Sequence, residues 1–481
     1  MGTSSWKGQR VIVIGAARQG TALARYLSER GAVVVLNDQR PPIQLQTAQE
    51  MLADLPVEWI VGGHPLNLLD GADCVCLSGG VPLNIPLVQE ALARCIPVSN
   101  DSQMFLEAAP CRVIGITGSA GKTTTTTLVG RMAKQAAEKQ AAEKQAAEKQ
   151  AAQMTAGKVY PARVWVGGNI GNPLINSLND MKPDDLAVLE LSSFQLEIMT
   201  RSPQVAAVLN ITPNHLDRHG TMEVYTRAKA HILDYQDEQG QVVLGRQDPG
   251  AWGLAGSAHG GVWSFGLDRE EDYPGAFLQR NWVTLWNGQA EERVVHCSEV
   301  HLRGEHNLLN VLAACAISAA AGLPTEAMRA GILGFTGVAH RLEFVRTWKG
   351  AHWFNDSIAT APERSMAAVR SFDGPIVLLA GGRDKDLPWE DFARLVRQRV
   401  DHLVLFGEAA EKIHQAVGPL KSGGRPFTLR VCKRLQEAVR AAADQVEIGD
   451  VVLLSPGGTS FDEFRDFEER GEAYRKWVLD L

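Results

Sequence analysis

Short apolar runs rich in β-branched residues recur along the chain, each followed by turn residues and then by apolar positions at helical spacing. Residues 11–14 form such a run, followed by Gly15-Ala-Ala-Arg-Gln-Gly20 and a helical pattern over 21–29. Gly31 closes that helix, and 32–36 reads as the next strand. Residues 73–77 and 96–98 continue the series. A second series starts near Cys111, with strands predicted over 113–116, 186–191 and 205–210. Its first strand leads through a Gly-containing loop, 117–122, into a helix opening at 123–132. A third series places strands at 353–355, 376–380, 402–406 and 451–455. Strand–helix alternation predicts parallel sheets, hence an α/β protein of three domains: 1–108, 109–337 and 338–481.

One segment breaks the pattern. From Gln135 the unit Gln-Ala-Ala-Glu-Lys occurs three times, followed by Gln150-Ala-Ala-Gln153. Its composition favours helix, but a period of five winds the charges around the axis and leaves no apolar stripe. It reads as a solvated helical spacer inserted at about 135–153, without a catalytic role.

Composition narrows the class. The 481 residues are 45% hydrophobic and 21% charged, which excludes disordered, collagenous and disulfide-scaffold chains. A net charge of −7 provides no global field for nucleic acid or an anionic membrane. The seven cysteines are scattered without CxxC pairs, as expected of free thiols in a reducing compartment. The N-terminal stretch has no apolar signal core and no run is long enough to span a membrane, so a cytoplasmic enzyme is expected.

The strongest chemical signal is Ile114-Gly-Ile-Thr-Gly-Ser-Ala-Gly-Lys-Thr-Thr124, at a strand-to-helix junction. Glycines let backbone N–H groups turn inward, and the helix N-terminus adds positive potential. Gly118, Ser119, Ala120, Gly121 and Thr124 would cradle phosphates, Lys122 would reach the β and γ groups, and the Thr123 hydroxyl would bind Mg²⁺. The strict spacing asks for Gly at 116, where this chain has Ile. Glu190 closes an apolar strand, where a carboxylate needs a partner; a metal ion or a basic side chain supplies one. In Gly15-Ala-Ala-Arg-Gln-Gly20 the middle Gly of a dinucleotide turn is Ala17, and Asp38 would suit a ribose hydroxyl in that reading.

The ordered set of motifs resembles the Mur ligase family. It comprises Thr117-Gly-Ser-Ala-Gly-Lys-Thr-Thr, Gly167-Gly-Asn-Ile-Gly171, Glu190-Leu-Ser-Ser-Phe-Gln-Leu-Glu197 and Asn210-Ile-Thr-Pro-Asn-His-Leu-Asp-Arg218. His306-Asn-Leu-Leu-Asn310, His340-Arg-Leu-Glu343, Asn355-Asp-Ser357, Leu454-Ser-Pro456 and Phe464-Arg-Asp-Phe-Glu-Glu-Arg-Gly471 continue it in order. The likeness spans nearly the whole chain outside the helical repeat. It implies a Rossmann-like UDP-binding N-terminal domain, a central phosphate-loop ATPase domain and a Rossmann-like C-terminal domain that binds glutamate. The implied reaction is ATP-driven ligation of glutamate, the D form favoured, to UDP-N-acetylmuramoyl-L-alanine through an acyl phosphate, by a monomer.

The resemblance also implies roles by position. Lys122 would hold the β and γ phosphates. Thr123 and Glu190 would hold one Mg²⁺, and His215 with a carbamylated Lys229 a second; the plain alternative for Lys229 is a surface lysine on a helix. Asn307 and Asn310 would contact the nucleotide, and Arg341 and Asp356 would close over its phosphates and ribose. Arg18 and Gln19 would meet the pyrophosphate of the sugar nucleotide, with Asp38 and Gln39 near uracil. Asn169, Ser192 and Gln195 would line the sugar-alanyl side. Thr360, Lys385, Ser460 and Phe467 would form the glutamate pocket.

Two stretches depart from the family pattern: Asp356-Ser-Ile-Ala-Thr-Ala361, where Ile358 replaces a cation, and Ser455-Pro-Gly-Gly-Thr-Ser460. Arg364 or Arg383 could restore the charge, and the handedness of glutamate stays open between D and L. Three other functions compete with this one. A folylpolyglutamate synthase gives residues 1–108 no purpose. A nicotinamide-dependent dehydrogenase leaves Lys122, Glu190 and Lys229 unused. A nucleotide-driven switch lacks a recognisable partner surface.

Overall fold

A computed structural model describes residues 6–149, 160–169, 171–302, 304–384, 387–420 and 423–481, with the side chains of 144–149 and 217 outside the description. The chain divides into two compact units, Met1–Phe335 and Thr336–Leu481.

The first unit contains two sheets. One consists of β1 (Arg10–Ile14), β2 (Val33–Asp38), β3 (Glu58–Val61), β4 (Cys74–Leu77) and β5 (Val98–Asn100), all parallel, in the order β3-β2-β1-β4-β5. Strands β1 and β4 are buried almost throughout, as apolar runs covered on both faces must be. The order reverses between β1 and β4, which opens a crevice at their carboxyl ends.

The second sheet runs β14-β13-β12-β11-β10-β9-β6-β8-β7. Its strands are β6 (Arg112–Thr117), β7 (Val164–Gly168), β8 (Leu186–Glu190), β9 (Val205–Val208), β10 (Gln241–Gly245), β11 (Gly261–Phe265), β12 (Gly275–Gln279), β13 (Trp282–Trp286) and β14 (Glu291–His296). The strands from β7 to β12 are parallel, while β12, β13 and β14 form an antiparallel meander. The sequence pattern did not predict that meander. The β12–β13 turn holds Arg280 and Asn281 at φ 50° and 63°, a conformation usually announced by Asn-Gly, which that turn lacks; Asn287-Gly288 stands instead in the β13–β14 turn.

The helix opened by the phosphate loop runs Lys122–Lys149, so the repeat continues it rather than standing apart. Ala136 of the first repeat unit is fully buried, and Lys139 pairs with Glu326. By residues 141–143 the side chains are exposed, as a pattern without an apolar stripe requires. Residues 150–153 of the repeat lie outside the described residues.

The second unit has one sheet, β15 (Glu343–Trp348), β16 (Ala351–Asn355), β17 (Ile376–Gly381), β18 (His402–Phe406), β19 (Thr428–Cys432) and β20 (Val451–Gly457), ordered β15-β16-β20-β17-β18-β19. Among the described strands, only β15 is antiparallel. Among the described residues, no helix is long and apolar enough to cross a membrane.

Candidate functional site

Strand β6 ends at Thr117 and the chain turns through Gly118–Gly121 into the long helix. Gly121 has φ +81°, and a Cβ there would overlap Asn310 Oδ1, so both the turn and the approach of Asn310 require glycine. The residues after β9 fix the loop. Asn210 accepts the Ser119 N–H on its carbonyl (2.9 Å) and the Ala120 N–H on its side chain (2.8 Å). Ser119 Oγ donates to the Thr212 carbonyl (2.9 Å) and lies 3.0 Å from the Tyr225 hydroxyl. Lys122 Nζ donates to the Gly118 carbonyl (2.8 Å), which folds its ammonium over the loop. Thr123 and Thr124 are buried in the first helical turn.

Glu190 pairs in register with Ile116 on one side and Gly168 on the other, which puts its carboxylate beside the loop. It is 2% exposed. Oε1 accepts from Asn169 Nδ2 at 3.1 Å, whereas Oε2 is buried without a partner among the described residues. Such an oxygen needs a cation, because an unmet buried carboxylate oxygen is costly. Among the described residues no three His, Cys, Asp or Glu side chains converge into a complete metal cage. The donors suit an ion that keeps water and phosphate oxygens, as Mg²⁺ does.

Lys229 lies on the helix Met222–Ala230 and is 1% exposed, so it is not a surface lysine. Its Nζ donates to the Gly118 carbonyl (3.0 Å) and to Thr117 Oγ1 (3.3 Å). Burial, reinforced by Lys122 and opposed by Glu190, holds its pKa well below the usual lysine range. His215 sits in left-handed conformation (φ 54°) at the start of Leu216–His219, exposed, 5.0 Å from the Phe194 ring. Asn310 is buried and donates to Asn307 Oδ1 at 3.1 Å.

In the first sheet, Gly15 has φ +92° and a Cβ on Gly20 would overlap the Gly15 carbonyl, so the turn needs both glycines. Asp38 is buried; its carboxylate accepts the Ala16 N–H (2.7 Å) and a bidentate pair from Arg40 (3.0 and 2.8 Å). Although burial pushes its pKa up, Arg40 and Ala16 outweigh that and bring it down to about 2. Arg18 and Gln39 are exposed, and Gln19 accepts the Gly79 N–H at 2.9 Å. Ser192 and Gln195 form a reciprocal cap on Ser193–Leu196.

In the second unit, Asp356 is buried at the carboxyl end of β16, accepting from Ser455 Oγ (2.8 Å) and the Leu342 N–H (3.2 Å). Burial pushes its pKa up to about 7, against the pull of Ser455, the Leu342 N–H, Arg341 and Arg364. Arg383 is engaged with Glu408 at 2.9 Å, which leaves Arg364 as the cation nearer Ile358's neighbour Asp356. The buried Arg470 guanidinium donates to Ser357 Oγ and to the carbonyls of Ser357, Gly458 and Thr459, tying the Thr360 loop to the Ser460 loop. Ser460 is buried, and Phe467 stands 6.4 Å from the His340 ring. Lys385 lies outside the described residues.

Sequence reasoning gave no role to Asn210, Tyr225 or Arg470. Asn210 opens the motif 210–218 and Arg470 lies within the motif 464–471, so position in the motif was the available signal.

Three family models match: a MurD-like Mur ligase N-terminal domain over 9–100, a Mur ligase middle domain over 116–318 and a Mur ligase glutamate ligase domain over 340–458. The chain is 38% identical over 476 residues to the UDP-N-acetylmuramoylalanine–D-glutamate ligase of Symbiobacterium thermophilum, covering 98% of each. It is 36% identical to the ligase of the same name from Caldanaerobacter subterraneus, covering 99% of each. Among solved structures, the UDP-N-acetylmuramate-alanine ligase of Thermotoga maritima superposes with a TM-score of 0.53 at 18% identity, over 98% of this chain and 99% of that one. That likeness concerns the fold.

Proposed function

The chain belongs to the Mur ligase family, and on that premise we infer that it is an ATP-dependent ligase joining D-glutamate to UDP-N-acetylmuramoyl-L-alanine in peptidoglycan precursor synthesis. The observation that carries this reading is 38% and 36% identity, over nearly the whole chain, to two ligases of that name.

The chemistry sets the requirements. A carboxylate resists attack by an amine because oxide would have to leave. Transfer of the γ-phosphoryl group to the muramoyl-alanine carboxylate gives an acyl phosphate. The glutamate amine attacks its carbonyl carbon, the C–O bond to phosphate breaks, and phosphate and a proton depart. The protein's share is positioning and charge neutralisation.

In this reading the N–H groups of Gly118–Thr124 and the Lys122 ammonium hold the triphosphate, Lys122 exchanging its carbonyl partners for phosphate oxygens. Thr123 and Glu190 hold one Mg²⁺, with Glu190 Oε2 as the waiting oxygen. His215 and a carbamylated Lys229 hold the second; bound Mg²⁺ neutralises the crowded phosphate oxygens. An amine whose pKa is lowered by burial offers more of its neutral form to CO₂, losing a proton and gaining an anionic group. Asn307 and Asn310 contact the nucleotide, and Arg341 and Asp356 its phosphates and ribose. Arg18, Gln19 and Gln39 meet the UDP moiety, Asp38 shapes their loop through Ala16 and Arg40, and Asn169, Ser192 and Gln195 line the sugar-alanyl side. Thr360, Lys385, Ser460 and Phe467 receive glutamate. We assign UDP binding to 1–108, ATP binding to 109–337 and glutamate binding to 338–481, in a monomeric cytoplasmic enzyme.

Phosphate release by the purified protein tests the reading. It is expected only with ATP, the UDP-muramoyl substrate and D-glutamate together. Release indifferent to the two acceptors identifies a nucleotide-driven switch, and preference for L-glutamate overturns the stereochemical assignment.

A further inference from the structure

Arg218 closes the motif 210–218, and the reaction above gives it no part. It lies on the short helix Leu216–His219, on the second sheet's side of the first unit. Its guanidinium reaches across to the first sheet. Nη2 donates to the Val81 carbonyl at 2.8 Å, and Nη1 to the Gly80 carbonyl at 3.4 Å. Both carbonyls belong to the loop that follows β4, at the mouth of the crevice between β1 and β4.

That loop carries two successive glycines, Gly79 and Gly80, which leave its backbone free to take many shapes. From the first sheet it is held at one side. Gln19 Oε1 accepts the Gly79 N–H at 2.9 Å, and a Cβ on Gly15 would come within 3.1 Å of the Val81 side chain. Arg218 supplies the tie from the opposite side. The Val81 carbonyl sits in a peptide bond to Pro82, which has no N–H, so a contact to that carbonyl is how a donor can grip this peptide.

The guanidinium is itself held in place. It lies 3.8 Å from the centre of the Phe194 ring and 3.4 Å from Glu197 Oε1. Phe194 is on the helix Ser193–Leu196 after β8, and Glu197 ends that helix. The side chains of Arg218 and Glu197 are only 17% and 16% exposed. A planar fork can face a ring, meet a carboxylate and grip two carbonyls together; an ammonium is a point charge without that geometry.

We propose that Arg218 is a positioning residue for the sugar nucleotide: its guanidinium clamps the Gly80 and Val81 carbonyls and fixes the lip of the crevice against the Phe194–Glu197 turn. This rests on the reading above, in which the UDP end of the substrate meets the first sheet and its muramoyl-alanyl end the second. The clamp spans the same two sides as that substrate.

Steady-state kinetics on full-length Arg218→Lys, varying each substrate in turn, test this. The charge stays and the fork is lost. KM for UDP-N-acetylmuramoyl-L-alanine is expected to rise about tenfold, with kcat and the KM values for ATP and glutamate within about twofold. An unchanged KM for the sugar nucleotide, or an equal loss toward all three substrates, overturns the proposal. In Arg218→Ala, guanidinium chloride below denaturing concentrations is expected to lower that KM, whereas sodium chloride of equal strength is not; the same KM in both salts overturns the clamp. Should neither variant fold, Glu197→Gln decides, because it frees the guanidinium from its carboxylate. The same KM is expected to rise at least about threefold, and an unchanged value overturns the proposal. Gln19→Ala separates it from its premise. If that variant leaves the sugar-nucleotide KM unmoved, the assignment of the crevice fails; if it raises it and Arg218→Lys does not, the Arg218 proposal alone fails.

Discussion

The Lys229 amine donates to the carbonyl oxygen of Gly118, 3.0 Å away, at the bend of the phosphate loop. A group at the far end of the helix Met222–Ala230 thus reaches the turn that is to hold the triphosphate. Burial pulls the pKa of that amine well below the usual lysine range. A base with a depressed folded pKa binds fewer protons folded than unfolded, so its contribution improves as pH rises toward the unfolded value and worsens as pH falls. Lys229→Met removes that cost. It is expected to melt roughly 2–4 °C higher at pH 7 while losing ligation, and to lack the carbamate signal that ¹³C-bicarbonate should give the wild type by NMR. An unmodified Lys229 in the active enzyme, with Lys229→Ala at full rate, contradicts the assignment.

Glu190 leaves one buried oxygen unmatched beside the loop among the described residues. Glu190→Gln keeps the acceptor facing Asn169 and removes the charge. The Mg²⁺ concentration for half-maximal ligation should rise at least about tenfold, with stability preserved or improved because a buried charge is gone. Titration of activity with Mg²⁺ checks this; an unchanged midpoint would exclude Glu190 as a ligand.

Gly121 combines positive φ with the close approach of Asn310. Gly121→Ala should weaken ATP binding about tenfold or more through a shifted loop, leaving the affinity for the UDP-muramoyl substrate unaltered. Calorimetric titration of each ligand separates the two effects, and equal affinities in variant and wild type would remove the loop from nucleotide binding.

Asp356 has a folded pKa of about 7, far above that of an exposed aspartate. A raised carboxyl pKa means the folded state holds the proton longer than the unfolded one. Stability from this group is therefore full below about pH 4 and declines as pH rises to 7. Asp356→Asn abolishes that slope, so the wild type should lose stability relative to the variant between pH 5 and pH 8. Urea unfolding across that range reports it; parallel curves would contradict it.

Much of this was legible because strands buried on both faces are apolar runs: residues 11–14, 113–116 and 376–380 fall within β1, β6 and β17. The phosphate loop was legible because only glycine permits its turns. What the sequence hid was pairing at a distance. Lys229 sits on a helix of mixed polarity, and its burial comes from packing against the loop. The repeat misled because composition alone does not say where Ala136 falls relative to the packed face of a longer helix.

The central claim is that the carboxyl of the muramoyl substrate is phosphorylated before the amine arrives. Substrate carrying ¹⁸O in both oxygens of that carboxyl tests it directly. The account predicts that each phosphate released during ligation carries one ¹⁸O, seen by mass or ³¹P NMR. Unlabelled phosphate formed in step with the peptide would contradict it.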